Sequence, residues 1–442
     1  MAAVFEALET GFTEPIRDPL WGHIYLTAEL AALTASPAFA KLARIQQLGP
    51  TASVYPGATH TRAAHSFGVY HLARRLLRSL LERGADAWTS PLGARSFLAA
   101  ALLHDLGHFP YAHSLKELPL EDHEALTGKL ILSPPLRELV GKAGADPYLT
   151  AAIVDKALPT GGNAETLFYR RLLSGVLDPD KLDYLNRDAR CCGVPYGAQD
   201  VDFIYSRLIP HAERGVDIDS KGIPSVEAIL FAKYLMYRSV YWHRGVRSAT
   251  AMVKAAVKSG LEDGILASEE LYGLDDAGLF ALLASRAHPA FALAAAVREG
   301  KSFQVIAEFP FDEAVHRGLE DLQTRSLFEE ELAGELSAAL SRRIVTHEII
   351  IDLPEPISFE TGLLVADTGR PFSESTTVFS DATVAAFVRS LRVVRICANQ
   401  EVAEAVAASS EARGLLQGGG KWLHSIQDAQ TATRGGGVDG NP

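Results

Sequence analysis

At 442 residues, with 48% hydrophobic and 22% charged side chains, the chain has the composition of a globular protein and enough length for one large core or two ordinary ones. Its 42 Lys+Arg against 54 Asp+Glu leave a net charge of −12, which argues against extended nucleic-acid binding and anionic membranes but allows a local basic pocket. Cys191, Cys192 and Cys397 are too few and too unevenly placed for a disulfide framework or a zinc finger, and read as thiols of a reducing compartment.

The opening MAAVFEALETGFTEP lacks the basic region of a signal peptide. The longest apolar runs, 97–103 and 291–297, fall far short of the ~20 residues of a membrane span. A cytoplasmic protein with no membrane partner is expected. Helical periodicity dominates from residue 26 to about 299. Residues 28–48 have apolar side chains at helical spacing, interrupted at Ser36-Pro37, a cap followed by a first-turn proline. Residues 53–55 are short and β-prone, and Pro56-Gly57 then turns the chain. Helices are predicted over 64–83 and over 93–105, the second stopped by the glycine and proline of LGHFP. Further helices follow over 180–189, 226–258 and 277–283.

After Gly300 the character changes. Short β-branched runs at 303–309, 347–353, 362–366, 377–379 and 391–398 alternate with helical segments at 317–340 and 381–390. The predicted architecture is mainly α: a helical domain over 1–300, a smaller C-terminal α/β lobe over 301–416, and a disordered tail over 417–442 with two GGG runs.

Four separated groups of metal-ligand residues stand out: His65, His104-Asp105, His123 and Asp180. Such a mixed nitrogen and oxygen set can hold a divalent cation while leaving positions for water and phosphate oxygens. His104 and Asp105 end the apolar run FLAAALLHD, where a helix leaving regular geometry can aim two adjacent ligands at one ion. A His-Asp pair alone is equally a polar helix end, but HDLGHFPYAHS adds His108 and His113, three of the chain's 14 histidines in one short stretch. Arg62, three residues before His65, would face the same way at a helix start and could offset phosphate charge. In LDPDKLDYLNRDARCCG, Asp180, Tyr184 and Asp188 recur every fourth residue and share one helix face, with Lys181 and Asp183 elsewhere around it. That face suits a metal ligand followed by sugar or base contacts, or it is a solvated acidic face, and spacing alone does not choose Asp180 over Asp183. In EDHEALTG, His123 could act as a general acid supported by Glu124. The segment MYRSVYWHRGVRSA could grip phosphates and stack a base, or be a core helix with arginines outward.

Read in order, these segments resemble the HD-domain superfamily, and within it the deoxynucleoside triphosphate triphosphohydrolases. The likeness covers about residues 16–415, running from IRDPLWGHIYL through ARIQQLG, VYPGATHTRAAHS, LLHDLGHFPYAHS, DHE and DPDKLDYLNRDA to YWHRGVRSA. It continues more weakly through HEIIIDLPEP and LRVVRICANQ. It implies a helical HD bundle with the smaller lobe attached, and a homodimer or homotetramer. The metal set it implies is His65, His104, Asp105 and Asp180, for which Mg, Mn, Fe, Co and Zn are all compatible. His108, His113 and His123 match catalytic-pocket histidines, with His123 as proton donor and Glu124 its neighbour. Arg62 and Lys181 match phosphate contacts, while Gln47, Leu48, Tyr184 and Asp188 match positions around the deoxyribose of a dNTP. In two places the chain departs from that pattern. Ala35, Ala40 and Ala43 occupy positions that bind an activating guanine nucleotide in the animal enzyme of the subgroup, so a site of that type is not expected. Gly245, Arg247 and Ser248 replace an arginine, a tyrosine and a glutamine, leaving Arg244 or Arg247 to recover a phosphate contact. Two other readings keep part of this: an HD phosphohydrolase acting on cyclic nucleotides, monophosphates or alarmones, and a catalytically quiet nucleotide-sensing scaffold.

Overall fold

The computed structural model describes residues 2–375 and 378–417. The fold is mainly helical, with three small sheets among the described residues. Two compact units interleave along the chain. One comprises Met1–Val240, Ala267–Leu282 and Phe359–Val384, the other Tyr241–Leu266, Leu283–Ser358 and Ala385–Pro442. No helix among the described residues is long and apolar enough to cross a membrane.

The first unit opens with the helix Ala2–Glu9, followed by an antiparallel hairpin, Glu14–Asp18 against Gly22–Leu26, and two short helices, Ala28–Thr34 and Pro37–Leu42. Thr27 and Ser36 cap these helices by accepting from Leu30 N and Phe39 N, so the predicted interruption at Ser36-Pro37 is present. The β-prone reading of 53–55 is corrected, because Gly49–Ser53 forms a 3₁₀ turn. Two hydroxyls act locally there: Thr51 Oγ1 donates to Leu48 O and Ser53 Oγ to Pro50 O, each at 2.7 Å, which favours a turn over a strand.

Three helices build the unit's centre. Arg62–Leu81 is capped by Thr61, Pro91–Leu103 by Ser90 with a first-turn proline, and Pro179–Cys192 by Asp178, closing on left-handed Gly193 at φ 69°. Arg62–Leu81 packs against both of the others. From Phe97 to Leu103 every side chain of the second helix is buried, which explains why its sequence is apolar all round. The helix predicted over 226–258 is two helices, Ile223–Met236 and Arg244–Glu262. Between them lies a π-helical turn at Tyr237–Tyr241, after which His243 Nδ1 caps the second helix by accepting from Gly245 N at 3.2 Å. A four-stranded sheet completes this unit, ordered Leu208–His211, Gly215–Ile218, Leu364–Val365, Arg370–Pro371. The strand read at 362–366 therefore sits here, beside Arg370–Pro371 and far along the chain from its parallel partner Gly215–Ile218.

In the second unit an antiparallel sheet, ordered Gln304–Pro310, Val393–Ala398, Ile349–Asp352, packs on the helices Arg244–Glu262 and Leu322–Leu340. Its core gathers Phe328, Leu332, Leu336, Ile349, Ile351, Val394 and Ile396. Of the strand expected at 377–379, Thr377 lies outside the described residues, and Val378 and Phe379 are not in a strand. The tail read as disordered lies, from residue 418 on, outside the described residues.

Candidate metal centre and its surrounding pocket

The Pro91–Leu103 helix ends one residue before His104, so His104 and Asp105 occupy the turn that leaves it. Two bonds brace that turn from outside: Thr127 Oγ1 donates to His104 O at 3.0 Å and accepts from Gly107 N at 2.8 Å. The buried ammonium of Lys41 adds two more, donating to Leu106 O at 3.1 Å and His108 O at 2.7 Å. Burial, then the charge of Arg62, pushes Lys41 down to about 8. Gly107 is required by packing: a Cβ there would lie 2.1 Å from His123 O and 2.6 Å from Thr127 N.

Against this turn the other two central helices bring His65 and Asp180. His65 Nε2 lies 2.9 Å from Asp180 Oδ1, and His104 Nε2 lies 3.4 Å from Asp105 Oδ1 and 3.9 Å from Asp180 Oδ1. Ligand atoms of His65, His104 and Asp180 all fall within 4.8 Å of one another. His104 Nδ1 lies 2.9 Å from Ala101 O, which fixes that nitrogen as a donor and leaves Nε2 buried without a hydrogen-bond partner among the described residues. An orphaned imidazole nitrogen beside two carboxylates fits a divalent cation. Asp180, with 38% of its side chain exposed, is the open member of the set. Burial acts to raise it, but the bond to His65 and the charges of His65 and His104 hold it near about 2. Asp105 is likewise held well below the usual carboxylate range by His108, His104 and Arg62, against burial. Both acids are thus ionised and ready to bind a cation.

Asp183, which spacing could not separate from Asp180, and residues the sequence did not single out complete the support. Asp183 Oδ2 lies 2.8 Å from His65 Nδ1, and Arg187 donates to both oxygens of Asp183, at 2.8 and 2.9 Å. Arg187 also bonds Asp18 at 2.9 Å, and Trp21 Nε1 donates to Asp183 Oδ1 at 2.5 Å. Gly68 admits this cluster, since a Cβ there would fall 1.8 Å from Asp183 Oδ1. The sequence signal was faint: an Asp-x-x-x-Arg pair on the same helix as Asp180.

Beside the ligand set, His108, His113 and His123 form a second cluster with ring centroids 4.0–4.9 Å apart. Asp105 Oδ1 lies 3.1 Å from His108 Nδ1, so this carboxylate touches both groups. Burial, with Arg62 and His123, keeps His108 and His113 well below the usual imidazole range, and burial and Arg62 bring His123 to about 4 despite Asp105 and Asp122. All three are neutral near pH 7. Glu124 faces Lys156 at 3.5 Å, and the carboxylate nearer His123 is that of Asp122, at 3.8 Å.

The remaining predicted residues are placed as follows. Buried Arg62 donates through Nη1 to Asp105 Oδ2 at 2.9 Å. Lys181 Nζ is held by Asp178 at 2.7 Å, Gly175 O at 2.8 Å and Glu360 at 2.9 Å, and those carboxylates raise it against burial. Asp188 Oδ1 lies 2.7 Å from His60 Nε2. Tyr184 shares its helix face, with burial pushing the phenol well up. Gln47 N donates to His60 O at 3.0 Å, and its buried Oε1 has no partner among the described residues; Leu48 O accepts from Thr51. Arg244 belongs to the second unit, where it donates to Val305 O at 3.1 Å. Arg247, in the same unit, forms a buried two-pronged bond to Asp352, which makes it a structural cation there.

Residues 62–142 match the HD domain family and residues 204–381 the HD associated region. The uncharacterized protein YwfO of Bacillus subtilis is 34% identical over 239 residues, covering 54% of this chain and 53% of that protein. The deoxynucleoside triphosphate triphosphohydrolase SAMHD1 of Homo sapiens is 28% identical over 266 residues, covering 52% of this chain and 42% of that protein. The chain thus spans about half the length of the curated relatives it matches. A phosphohydrolase from Bacteroides thetaiotaomicron has the same fold, with a TM-score of 0.68, 24% identity, and coverage of 88% of this chain and 100% of that one. The chain carries an HD domain followed by an HD-associated region.

Proposed function

We propose that this HD-domain protein is a metal-dependent triphosphohydrolase that cleaves a dNTP to a deoxynucleoside and inorganic triphosphate. The observation that carries the reading is the convergence of His65, His104, Asp105 and Asp180 beside three neutral histidines and a buried arginine. A divalent cation held by those four residues supplies Lewis-acid polarisation of a phosphate oxygen and a lowered pKa for water.

The chain's own residues do the rest. Water adds to the α-phosphorus, the bond from phosphorus to the 5′-oxygen breaks, and a proton must reach that oxygen. We assign that delivery to His123: neutral on its own, it gains basicity when an anionic phosphate chain lies beside it. Arg62, anchored by Asp105, offers its other nitrogens to the phosphates, where its Nε is buried without a partner among the described residues. Lys181 can join by exchanging Glu360 for phosphate. Gln47, Leu48, Tyr184 and Asp188 surround the sugar. The similarity to a protein named as a deoxynucleoside triphosphate triphosphohydrolase supports dNTP as substrate; a cytoplasmic homodimer or homotetramer is part of the same proposal.

The test is incubation of the purified protein with each dNTP and rNTP, with Mn or Mg, and separation of products by ion-pair chromatography. Deoxynucleoside plus triphosphate is the expected result. In parallel incubations with cyclic nucleotides and monophosphates, release from those alone would replace dNTP with another nucleotide, and no release from any of them would favour the sensing scaffold.

A further inference from the structure

Asp188 lies two helical turns beyond Asp180 on the Pro179–Cys192 helix, and its partner His60 comes from a different part of the chain, just before the Arg62–Leu81 helix. Their contact, 2.7 Å between Nε2 and Oδ1, is sealed from solvent: the side chains are 6% and 2% exposed. The backbone around His60 is tied to a second segment. Gln47 N donates to His60 O and Arg62 N donates to Ile45 O, each at 3.0 Å, and Gln46 and Thr61 form an antiparallel bridge. One residue thus links Asp188, through its ring, to Gln47, through its carbonyl. Gln47 also has a buried Oε1 without a partner among the described residues, an arrangement that a hydroxyl donor from a ligand would relieve.

Resting on the dNTP reading above, we propose that His60 is the positioning residue for sugar recognition. Its ring orients the Asp188 carboxylate and its carbonyl fixes Gln47, so that both side chains reach the one free sugar hydroxyl of a bound 2′-deoxynucleotide and share its proton. Donor and acceptor are settled by charge. Burial acts to lower the His60 imidazole, but the bond to Asp188, helped by Cys191, raises it to about 9. At neutral pH, therefore, Nε2–H donates and Asp188 accepts. A neutral histidine in the other tautomer would leave the carboxylate free to rotate.

Two substitutions separate this role from a merely structural one. In His60→Gln the side-chain amide reaches roughly where Nε2 lies and can still donate to Asp188, whereas in His60→Asn it is one methylene short. For His60→Asn the expected result is a KM for dNTP raised about tenfold and a narrowed preference for dNTP over rNTP, with kcat changed little. His60→Gln should recover most of both, and metal content should stay that of wild type in each. An active wild type beside a His60→Asn protein with unchanged KM and preference overturns the inference alone. A loss confined to kcat or metal content, with KM unmoved, overturns it too. Wild-type protein that turns over no dNTP takes down the parent reading and the inference together. If His60→Asn does not fold, Asp188→Asn breaks the pair from the other side; the same rise in KM is expected, and an unmoved KM overturns the inference.

Discussion

His65 Nδ1 lies 2.8 Å from Asp183 Oδ2, and this buried contact decides which nitrogen of His65 faces the ligand set. Burial alone would lower this imidazole, but Asp180 on one side and Asp183 on the other raise it to about 10. A cation entering the site replaces the proton on Nε2, while Asp183 keeps the proton on Nδ1 and fixes the ring plane. Asp180 and Asp183 therefore differ in role although they sit three residues apart on one helix.

The consequence can be measured without any turnover assay. Asp183→Asn keeps the size of the side chain but weakens its hold on Nδ1–H, and metal affinity is expected to fall about 10- to 100-fold. Competition titration against a chromophoric chelator gives the constant. Unchanged affinity would mean that Asp183 serves only Arg187 and Trp21.

Asp105 ties the ligand set to its surroundings through three side chains: Arg62 at 2.9 Å, His108 at 3.1 Å and His104 at 3.4 Å. Asp105→Ala is expected to abolish metal retention and hydrolysis together. It should also lower stability by about 3–5 kcal/mol, because Arg62 is left buried without its carboxylate. Elemental analysis beside chromatography of released deoxynucleoside and triphosphate checks the first pair, and urea unfolding the third. Full turnover by the variant would remove Asp105 from the ligand set.

Much of this site was legible because its chemistry is carried by rare residue types in order. His104 and Asp105 end an apolar run, and that run is apolar because the whole helix is buried. What stayed hidden needs tertiary contact. Asp183 and Asp180 are indistinguishable by spacing until the Arg62–Leu81 helix passes beside one of them at Gly68. Lys41 looks like a surface lysine until its ammonium is found capping two carbonyls of the ligand turn. The break within 226–258 was missed for a related reason: Tyr237–Tyr241 keeps an apolar helical rhythm, so a one-turn change of hydrogen-bond register leaves no gap in the pattern. Likewise the strand at Leu364–Val365 is β-prone locally, but its parallel partner Gly215–Ile218 lies well over a hundred residues earlier, and nothing in the sequence announces that pairing.

Two glycine replacements should separate packing from propensity. At Gly107 an added Cβ meets backbone, His123 O at 2.1 Å and Thr127 N at 2.6 Å, so the ligand turn and the His123–Leu132 helix must part. Gly107→Ala is expected to cost about 1–3 kcal/mol or more and to weaken metal binding. At Gly141, within the Leu136–Lys142 helix, nothing lies within 4 Å of the added atom. Gly141→Ala should therefore stabilise by about 0.5–1 kcal/mol. Thermal melts of the two variants side by side test the contrast; equal shifts would show that the approach at Gly107 is not the constraint it looks to be.

The second unit offers a test with a defined pH signature. Glu329, on the Leu322–Leu340 helix, accepts from Ile351 N at 2.8 Å. Burial raises its carboxyl from the ordinary 4.5 to about 7, in spite of that bond and the charges of Arg325 and Lys258. Between these two values the folded chain keeps a proton that the unfolded chain has lost, so stability falls as pH rises through the window. Below about 4.5 both states are protonated and there is no penalty; above about 7 the penalty is complete, of order 1–3 kcal/mol. Glu329→Gln preserves the acceptor for Ile351 N and removes the titration. The variant should match wild type in urea unfolding near pH 4.5 and exceed it near pH 8, the gap opening across the interval between. A constant difference at all pH values would place the Glu329 carboxylate in contact with water or a cation that relieves its burial.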